Sequence, residues 1–434
     1  MTQPLSDFDI AIVGAGAAGL AAARTACDAG FRTVVLEAKD RVGGRAYTES
    51  ATLGVPFDHG CRWLHSASRN PFVGIARALG YDPAPEQRVR RVFLDSGDGQ
   101  GGGRWSDEAE TRDWLDFADR NFGAMAAAGQ AGRDLPSSEV VERGALWSAL
   151  FEAWAAMMNS VNLDAFSTLD HARYVDTREN WVVPEGYGAL IAHFGAGLPV
   201  TLNAPVTRIA WGGSGRGAGG ESGVRLETPR GTVSARAAIL TVSTAVLGAG
   251  CIRFDPALPD WKADAIAAVP LGNANKVAFA VRRDVFGGPP GRFSIFSSTR
   301  ADAMNFHVRP CGELVVGGYV GGRVADALEK AGPEEMKALA LERLKAIFGA
   351  DFGKEVTGSC VTAWRGDPYI GGGYSAAKPG EGHRRADLAI PLADRLFFAG
   401  EATHMDFYST AHGAYLSGVA AAESAGAVIR GSRS

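Results

Sequence analysis

Gly14, Gly16 and Gly19 stand at G-x-G-x-x-G spacing, and an acid, Glu37, follows about 20 residues later. The glycines serve different ends. Gly14 allows a tight turn, Gly16 lets backbone approach a pyrophosphate, and Gly19 lets helix and strand pack closely. Glu37 is placed to accept hydrogen bonds from a ribose. A second pair, Gly43 and Gly44, lies between Arg41 and Arg45. Read alone it is an ordinary basic turn; directly after Glu37 it predicts phosphate contact, with Arg45 forking onto phosphate oxygens. These groups need elements to hold them. Residues 10–13 form a short apolar run of buried-strand type, an Ala-rich helix runs to about residue 29 with Gly30 as its stop, and residues 33–36 form a second strand ending at Glu37. Strand, glycines, helix, strand and acid in this order predict an adenine dinucleotide site, and the second glycine pair favours FAD.

At this point the chain resembles the flavin-containing amine oxidase family (monoamine and polyamine oxidases and histone lysine demethylases), in which R-x-G-G-R follows the acid in the same way. Carotenoid desaturases and protoporphyrinogen oxidase carry similar N-termini, so later segments have to separate them. Residues 57–65 supply Asp58, Gly60, Cys61, Arg62, Trp63 and His65. Gly60 to Trp63 are similar to the family segment that lies against the flavin, and His65 matches a histidine of animal polyamine oxidases. Amino acid oxidases of the superfamily carry a carboxylate-binding arginine where Trp63 stands here. That argues against an α-amino acid, although Arg62 is adjacent. The resemblance further implies adenine contact through the backbone of Val206. It puts Ala18 and Cys61 with the glycines, Arg62 and Trp63 among the cofactor-binding residues.

Three segments carry the implied chemistry. In Leu271-Gly272-Asn273-Ala274-Asn275-Lys276-Val277, Lys276 opens an apolar alternating strand. On residue type it is a solvated strand-end lysine; by resemblance it holds a water against flavin N5. Trp364 and Tyr374, in a stretch that resembles the family's W-x-x-D-P-x-x-x-G-x-Y-S, match the tryptophan at the flavin and one wall of an aromatic cage for the amine. Relatives place a second wall at the position of Thr410, so Phe407 or Tyr408 is expected to complete the cage. Gly400 and Glu401, in F-A-G-E-A-T, match the ribityl–phosphate contact. Thr410 and Ala411 open the last helix, whose N-terminus would face the flavin pyrimidine ring and stabilise negative charge there. No cysteine occurs from residue 369 onward, where monoamine oxidases attach the flavin, so FAD is expected to be noncovalent.

Composition bounds the rest. The 434 residues are 46% hydrophobic and 21% charged, enough for about two globular domains with ample core. A net charge of −4 leaves no nucleic-acid footprint. Cysteines 27, 61, 251, 311 and 360 are scattered, with no C-x-x-C pair, which indicates a reducing, cytoplasmic setting and no metal. Residues 1–9 lack a signal-peptide pattern, and no apolar run approaches the ~20 residues a bilayer demands.

Helices are expected at 71–79, 107–128, 136–159 and 333–348, and strands at 89–94, 199–209, 224–226 and 237–242, with glycine-rich loops at 96–103 and 212–223. Asp164, Asp170 and Asp176 could draw a cationic amine, though such charges usually form a solvated face. The fold class expected is α/β: a Rossmann-like FAD-binding domain (1–80, 197–262 and 391–434) with an interleaved α+β substrate-binding domain (81–196 and 263–390).

The function implied is oxidation of a primary or secondary amine, with His65 leaning towards polyamines. Hydride passes from the α-carbon to flavin N5, the imine hydrolyses to aldehyde and amine, and dioxygen leaves as hydrogen peroxide. Expected partners are a small-molecule amine and dioxygen, with a homodimer left open. A desaturase or porphyrinogen-type oxidase, an amino acid oxidase and a noncatalytic flavin-stabilised binding module remain as alternatives.

Overall fold

The computed structural model describes residues 5–86, 89–95, 103–212, 223–287 and 292–431. The two glycine-rich loops read from the sequence fall outside these residues except at their ends.

An eight-stranded sheet carries the nucleotide motif. Its order is Val200–Thr201, Thr33–Leu36, Leu5–Val13, Gly231–Leu240, Val224–Thr228, Arg208–Ala210, Arg253–Asp255, with Leu396–Phe398 paired to the end of Gly231–Leu240. Leu5–Val13 lies parallel to both Thr33–Leu36 and Gly231–Leu240. Ile10, Ala11 and Ile12 are fully buried, as a central parallel strand covered on both faces requires. One covering layer is the helix Ala17–Asp28, and the last helix, Ala411–Gly431, packs on it. A Cβ on Gly418 would come within 2.1 Å of the Ala18 carbonyl oxygen, so the missing side chain sets how close these helices lie.

The second sheet has seven strands: Val356–Val361, Ala274–Val281, Val315–Gly321, Asn305–Val308, Phe293–Phe296, Val89–Asp95 and Gly103–Trp105. Its core joins Phe279, Phe293 and Phe306 to Leu344 of the helix Pro333–Phe348. A further helical layer contains Glu108–Gln130, Ser148–Asn159 and Thr168–Arg173. Asp107 caps the first of these in a capping box with Glu110. Trp114, Phe117, Phe151 and Trp147 fill the interior between them.

Two elements differ from expectation. Residues 136–159 do not form one helix: a 3-10 turn, Ser137–Glu139, is followed by Ser148–Asn159, because Gly144 (φ +75°) turns the chain between them. Residues 199–209 are not one strand. The chain leaves the sheet after Thr201, and the N–H groups of Asn203 and Ala204 bond to Lys39 O and Glu37 O at 2.9 and 2.8 Å before Arg208–Ala210 begins. Among the described residues, no helix is long and apolar enough to cross a membrane, and no group of three or more His, Cys, Asp or Glu could hold a metal ion.

Candidate active site

The two glycine motifs meet. Gly43 N–H donates to Ala15 O at 2.8 Å, and Gly16 and Gly43 form a parallel bridge. A Cβ on Gly44 would lie 3.4 Å from Gly16 Cα, and one on Gly43 only 2.2 Å from Ala46 O. Gly14 has φ +101°, and a Cβ on Gly19 would fall 1.9 Å from Gly14 O. No side chain caps the helix Ala17–Asp28 at Gly16, which leaves its first-turn amides for an anion. Buried Glu37 stands at the adjacent strand end, its carboxylate accepting Ala15 N–H at 2.6 Å and Lys39 N–H at 2.8 Å. Val206 packs with Val34 and Leu36 just past the turn tied to Glu37. Ala18 is buried and faces the last helix.

Arg45, Thr241, Ser243, Gly400 and Glu401 line a cavity at the C-terminal ends of Gly231–Leu240 and Leu396–Phe398. Ligands of such sheets bind at these ends. Glycine cradle, open helix amides, ribose-type acceptor and arginine together fit a dinucleotide of the FAD kind.

Glu401 is buried and heavily bonded. It accepts from Arg45 Nη1 (2.9 Å), Ser375 N (3.0 Å), Ser375 Oγ (2.5 Å) and Ser409 N (2.8 Å). Burial pushes its carboxyl up, but the Arg45 and Arg385 charges together with the hydrogen bonds from Ser375 and Arg45 hold it below the ordinary value. Ser417 Oγ, on the last helix, accepts Gly400 N–H at 2.9 Å and so ties that helix to the glycine–glutamate turn. Thr410 caps the helix, accepting Gly413 N–H at 3.0 Å. The amides of Ala411 and His412 precede the first intrahelical bond.

Lys276 is not a solvated strand-end lysine. It is buried, pairs across the sheet with Tyr319, and donates through Nζ to Asp58 O and Gly60 O, both at 2.6 Å. Gly60 is confined: a Cβ there would lie 1.6 Å from Arg45 O and 3.6 Å from the Trp364 ring. The structure thus brings Arg45, Gly60, Lys276 and Trp364 into one neighbourhood. Burial pushes the thiol of adjacent Cys61 up to about 12.

Arg62 and Trp63 turn to a carboxylate that sequence reading missed. Both Arg62 terminal nitrogens and Trp63 Nε1 donate to Glu86, at 2.8, 3.3 and 2.7 Å. His65 Nδ1 lies 2.6 Å from Asn180 Oδ1 and its ring 5.9 Å from that of Trp63.

The two tyrosines are anchored by their phenols. Tyr374 donates to Met157 O, and burial raises its pKa. Tyr408 donates to Asp170 O at 3.0 Å, with the Arg385 guanidinium 3.9 Å from its ring. Phe407 packs on His412 (4.7 Å) and His404 (5.3 Å). Asp170 belongs to no solvated face: it forms a fully buried bidentate pair with Arg385, at 2.6 and 2.7 Å, and Arg385 continues to Ser375 Oγ at 2.7 Å. Exposed Asp164 pairs with Arg323.

Glu329 was also missed. It accepts from Asn273 (2.9 Å), Asn275 (2.7 Å) and the amides of Arg365 (3.3 Å) and Gly366 (2.7 Å), joining the start of the Lys276 strand to the Trp364 turn. Asn275 Oδ1 takes the Thr362 hydroxyl at 3.0 Å, and Thr362 Oγ1 takes Lys276 N–H at 2.8 Å. Two asparagines entering an apolar strand were the available signal for such a partner.

Residues 17–425 match the family described as flavin containing amine oxidoreductase. Polyamine oxidase 4 of Oryza sativa subsp. japonica is 31% identical over 468 residues, covering 97% of this chain and 89% of that protein. Lysine-specific histone demethylase 2 of Homo sapiens is 28% identical over 456 residues, covering 94% of this chain and 52% of that protein. Putrescine oxidase, solved as wild type bound to putrescine, superposes with a TM-score of 0.80 at 22% identity, covering 98% of this chain and 100% of that one, a likeness of fold. With a Rossmann-like α/β fold and a match running almost end to end, the chain belongs to the flavin-containing amine oxidoreductase family.

Proposed function

We propose that this protein is an FAD-dependent oxidase of a primary or secondary amine, with dioxygen as acceptor. The observation that carries the reading is Lys276, buried with Nζ 2.6 Å from both Asp58 O and Gly60 O, next to the glycine on which Trp364 lies. When bound, FAD supplies the hydride acceptor for the amine α-carbon and the route of electrons to dioxygen, giving hydrogen peroxide. Glu37 accepts from the ribose, the Gly14, Gly16 and Gly19 turn with Ala18 receives the pyrophosphate, and Arg45 adds a cation. Val206 offers backbone to the adenine. Gly400 and Glu401 serve the ribityl–phosphate part, and the amides from Thr410 and Ala411 hold negative charge at the pyrimidine end.

Gly60, Cys61, Arg62 and Trp63 form the wall beside the ring system. The protonated Cys61 thiol is a poor nucleophile, in keeping with noncovalent binding. Two of the three Lys276 N–H groups are used on carbonyls, and the third is the donor that can hold a water. No side-chain base is required for a neutral amine, and buried Tyr374 stays protonated.

Tyr374, Phe407 and Tyr408 give the amine aromatic surface, and His65 a polar neighbour. Arg62, engaged by Glu86, has no call to bind a substrate carboxylate, which supports an amine over an amino acid. The first sheet and its helices form the cofactor domain (1–80, 197–262 and 391–434), and the second sheet with the helical layer forms the substrate domain (81–196 and 263–390). The scattered free cysteines support a reducing compartment, the cytoplasm.

The test is anaerobic. Primary, secondary and polyamines are added to the purified flavoprotein while the oxidised flavin band is followed. Bleaching by one amine class is expected and names the substrate. An intact band with every amine would favour C–C desaturation or a binding module, and failure to take up FAD would overturn the assignment.

A further inference from the structure

His59 lies between the two residues whose carbonyls hold Lys276, and its own side chain has no role in the reading above. Its ring is 16% exposed, with Nε2 buried and without a hydrogen-bond partner. The nearest carboxylate is Glu49 Oε2, at 3.8 Å from Nε2, on a side chain 18% exposed. Tyr47 (5.1 Å) and Phe57 (5.8 Å) pack against the imidazole and limit its freedom. An imidazole that is half-enclosed, near one carboxylate and beside a buried ammonium is a group whose charge must answer to both.

We propose that His59, with Glu49 as its counter-charge, is a positioning residue for Lys276 that couples this end of the active site to solvent protons. The proposal rests on Lys276 belonging to the active site. With His59 neutral, Lys276 is the cation fastened to the Asp58 and Gly60 carbonyls. When a proton from solvent binds Nε2, a second positive charge stands beside that ammonium and weakens its hold. Glu49, 3.8 Å from Nε2, offsets the new charge.

The groups that face His59 set the sign. Burial lowers its pKa from 6.5, Lys276 and Arg41 lower it further, and Glu49 and Asp58 act in the opposite direction. Cys360, on the strand Val356–Val361 paired with that of Lys276, interacts electrostatically with both Glu49 and Lys276; burial pushes its thiol up to about 11, so it adds no charge at neutral pH. Cys61 stays protonated likewise. The coupling is therefore chiefly Lys276 against Glu49, read at His59.

The experiment follows the His59 imidazole by NMR in the flavin-loaded protein, assigned with His59→Gln. Lys276→Met is expected to raise the His59 pKa, and Glu49→Gln to lower it. In parallel, the pH profile of flavin reoxidation is recorded for wild type and His59→Gln. The acid limb is expected to vanish in His59→Gln while the alkaline plateau stays within ~3-fold of wild type. A His59 that titrates near 6.5 and ignores Lys276→Met would overturn the proposal, as would an acid limb that persists in His59→Gln. If no amine reduces the flavin yet the NMR coupling is present, the proposed activity fails while the coupling stands.

Discussion

Replacing Lys276 with methionine keeps an unbranched side chain, one atom shorter, and removes its charge and three donors. In the native structure two of those donors meet Asp58 O and Gly60 O at 2.6 Å in a buried setting. A hydrogen bond to a charged group contributes about 1.5–3 kcal/mol, so two lost bonds amount to roughly 3–6 kcal/mol. Relief of the buried ammonium's desolvation, and the apolar contact methionine makes with Phe57 and Tyr319, return part of that. A net loss of about 2–4 kcal/mol remains, enough to lower Tm by a few degrees in a chain of this size. Stability loss alone leaves the chemistry per bound flavin unchanged. The proposed role predicts more: amine reduction or dioxygen reoxidation of the flavin, followed separately by stopped-flow absorbance, slows ~100-fold or more per flavin. Lys276→Arg, which keeps the charge but not the point geometry, is expected to regain stability and little of the rate. Wild-type rates in both half-reactions of Lys276→Met would reduce Lys276 to a strut for the loop at residues 58–60.

Gly19→Ala puts a Cβ 1.9 Å from Gly14 O, so the turn must shift; FAD affinity by fluorescence titration should fall at least ~10-fold, and unchanged affinity would show that the turn does not bear on the cofactor. Asp170→Asn leaves the fully buried Arg385 short of its counter-charge and should cost about 3–5 kcal/mol, read as a lower unfolding midpoint at pH 7. A midpoint equal to wild type would contradict that pairing. Acidification acts through His412, which is 1% exposed and held to about 3 by burial with His65 and His404 nearby, against an ordinary 6.5. Because the unfolded chain takes the proton first, this contribution is complete above the ordinary value and is lost as pH falls towards the native one. At pH 5 the loss is about 2 kcal/mol. Urea midpoints at pH 7.5 and 5 should differ by that much more in wild type than in His412→Gln; equal slopes would exclude His412.

What could be read from the chain, and what could not, divides along a physical line. Gly14, Gly16, Gly19, Gly43 and Gly44 were legible because a turn, a close approach and a helix start are local demands of the backbone. A short run of residues must satisfy them whatever the rest of the fold does. Lys276 was legible only with the family in view, since its type and place read equally as a solvated strand end. The carboxylates that meet other side chains and not the cofactor (Glu86, Glu329 and Asp170) were not legible at all. Glu86 meets Arg62 from 24 positions away, Glu329 meets Asn275 from 54, and Asp170 meets Arg385 from 215. Each half of such a pair looks like a surface charge until the fold supplies the other, which is why Asp170 read as a solvated face. Groups that meet a cofactor therefore leave short motifs, because the ligand supplies the missing half. Groups that meet only one another leave two unremarkable letters far apart. The same logic explains why the amine's identity is the faintest part of the reading. The proposed cage would draw on Tyr374, Phe407, Tyr408 and the helical layer, and its two tyrosines are fixed by distant backbone carbonyls, Met157 O and Asp170 O. A substrate determinant built that way is specified by packing, and packing has no local signature.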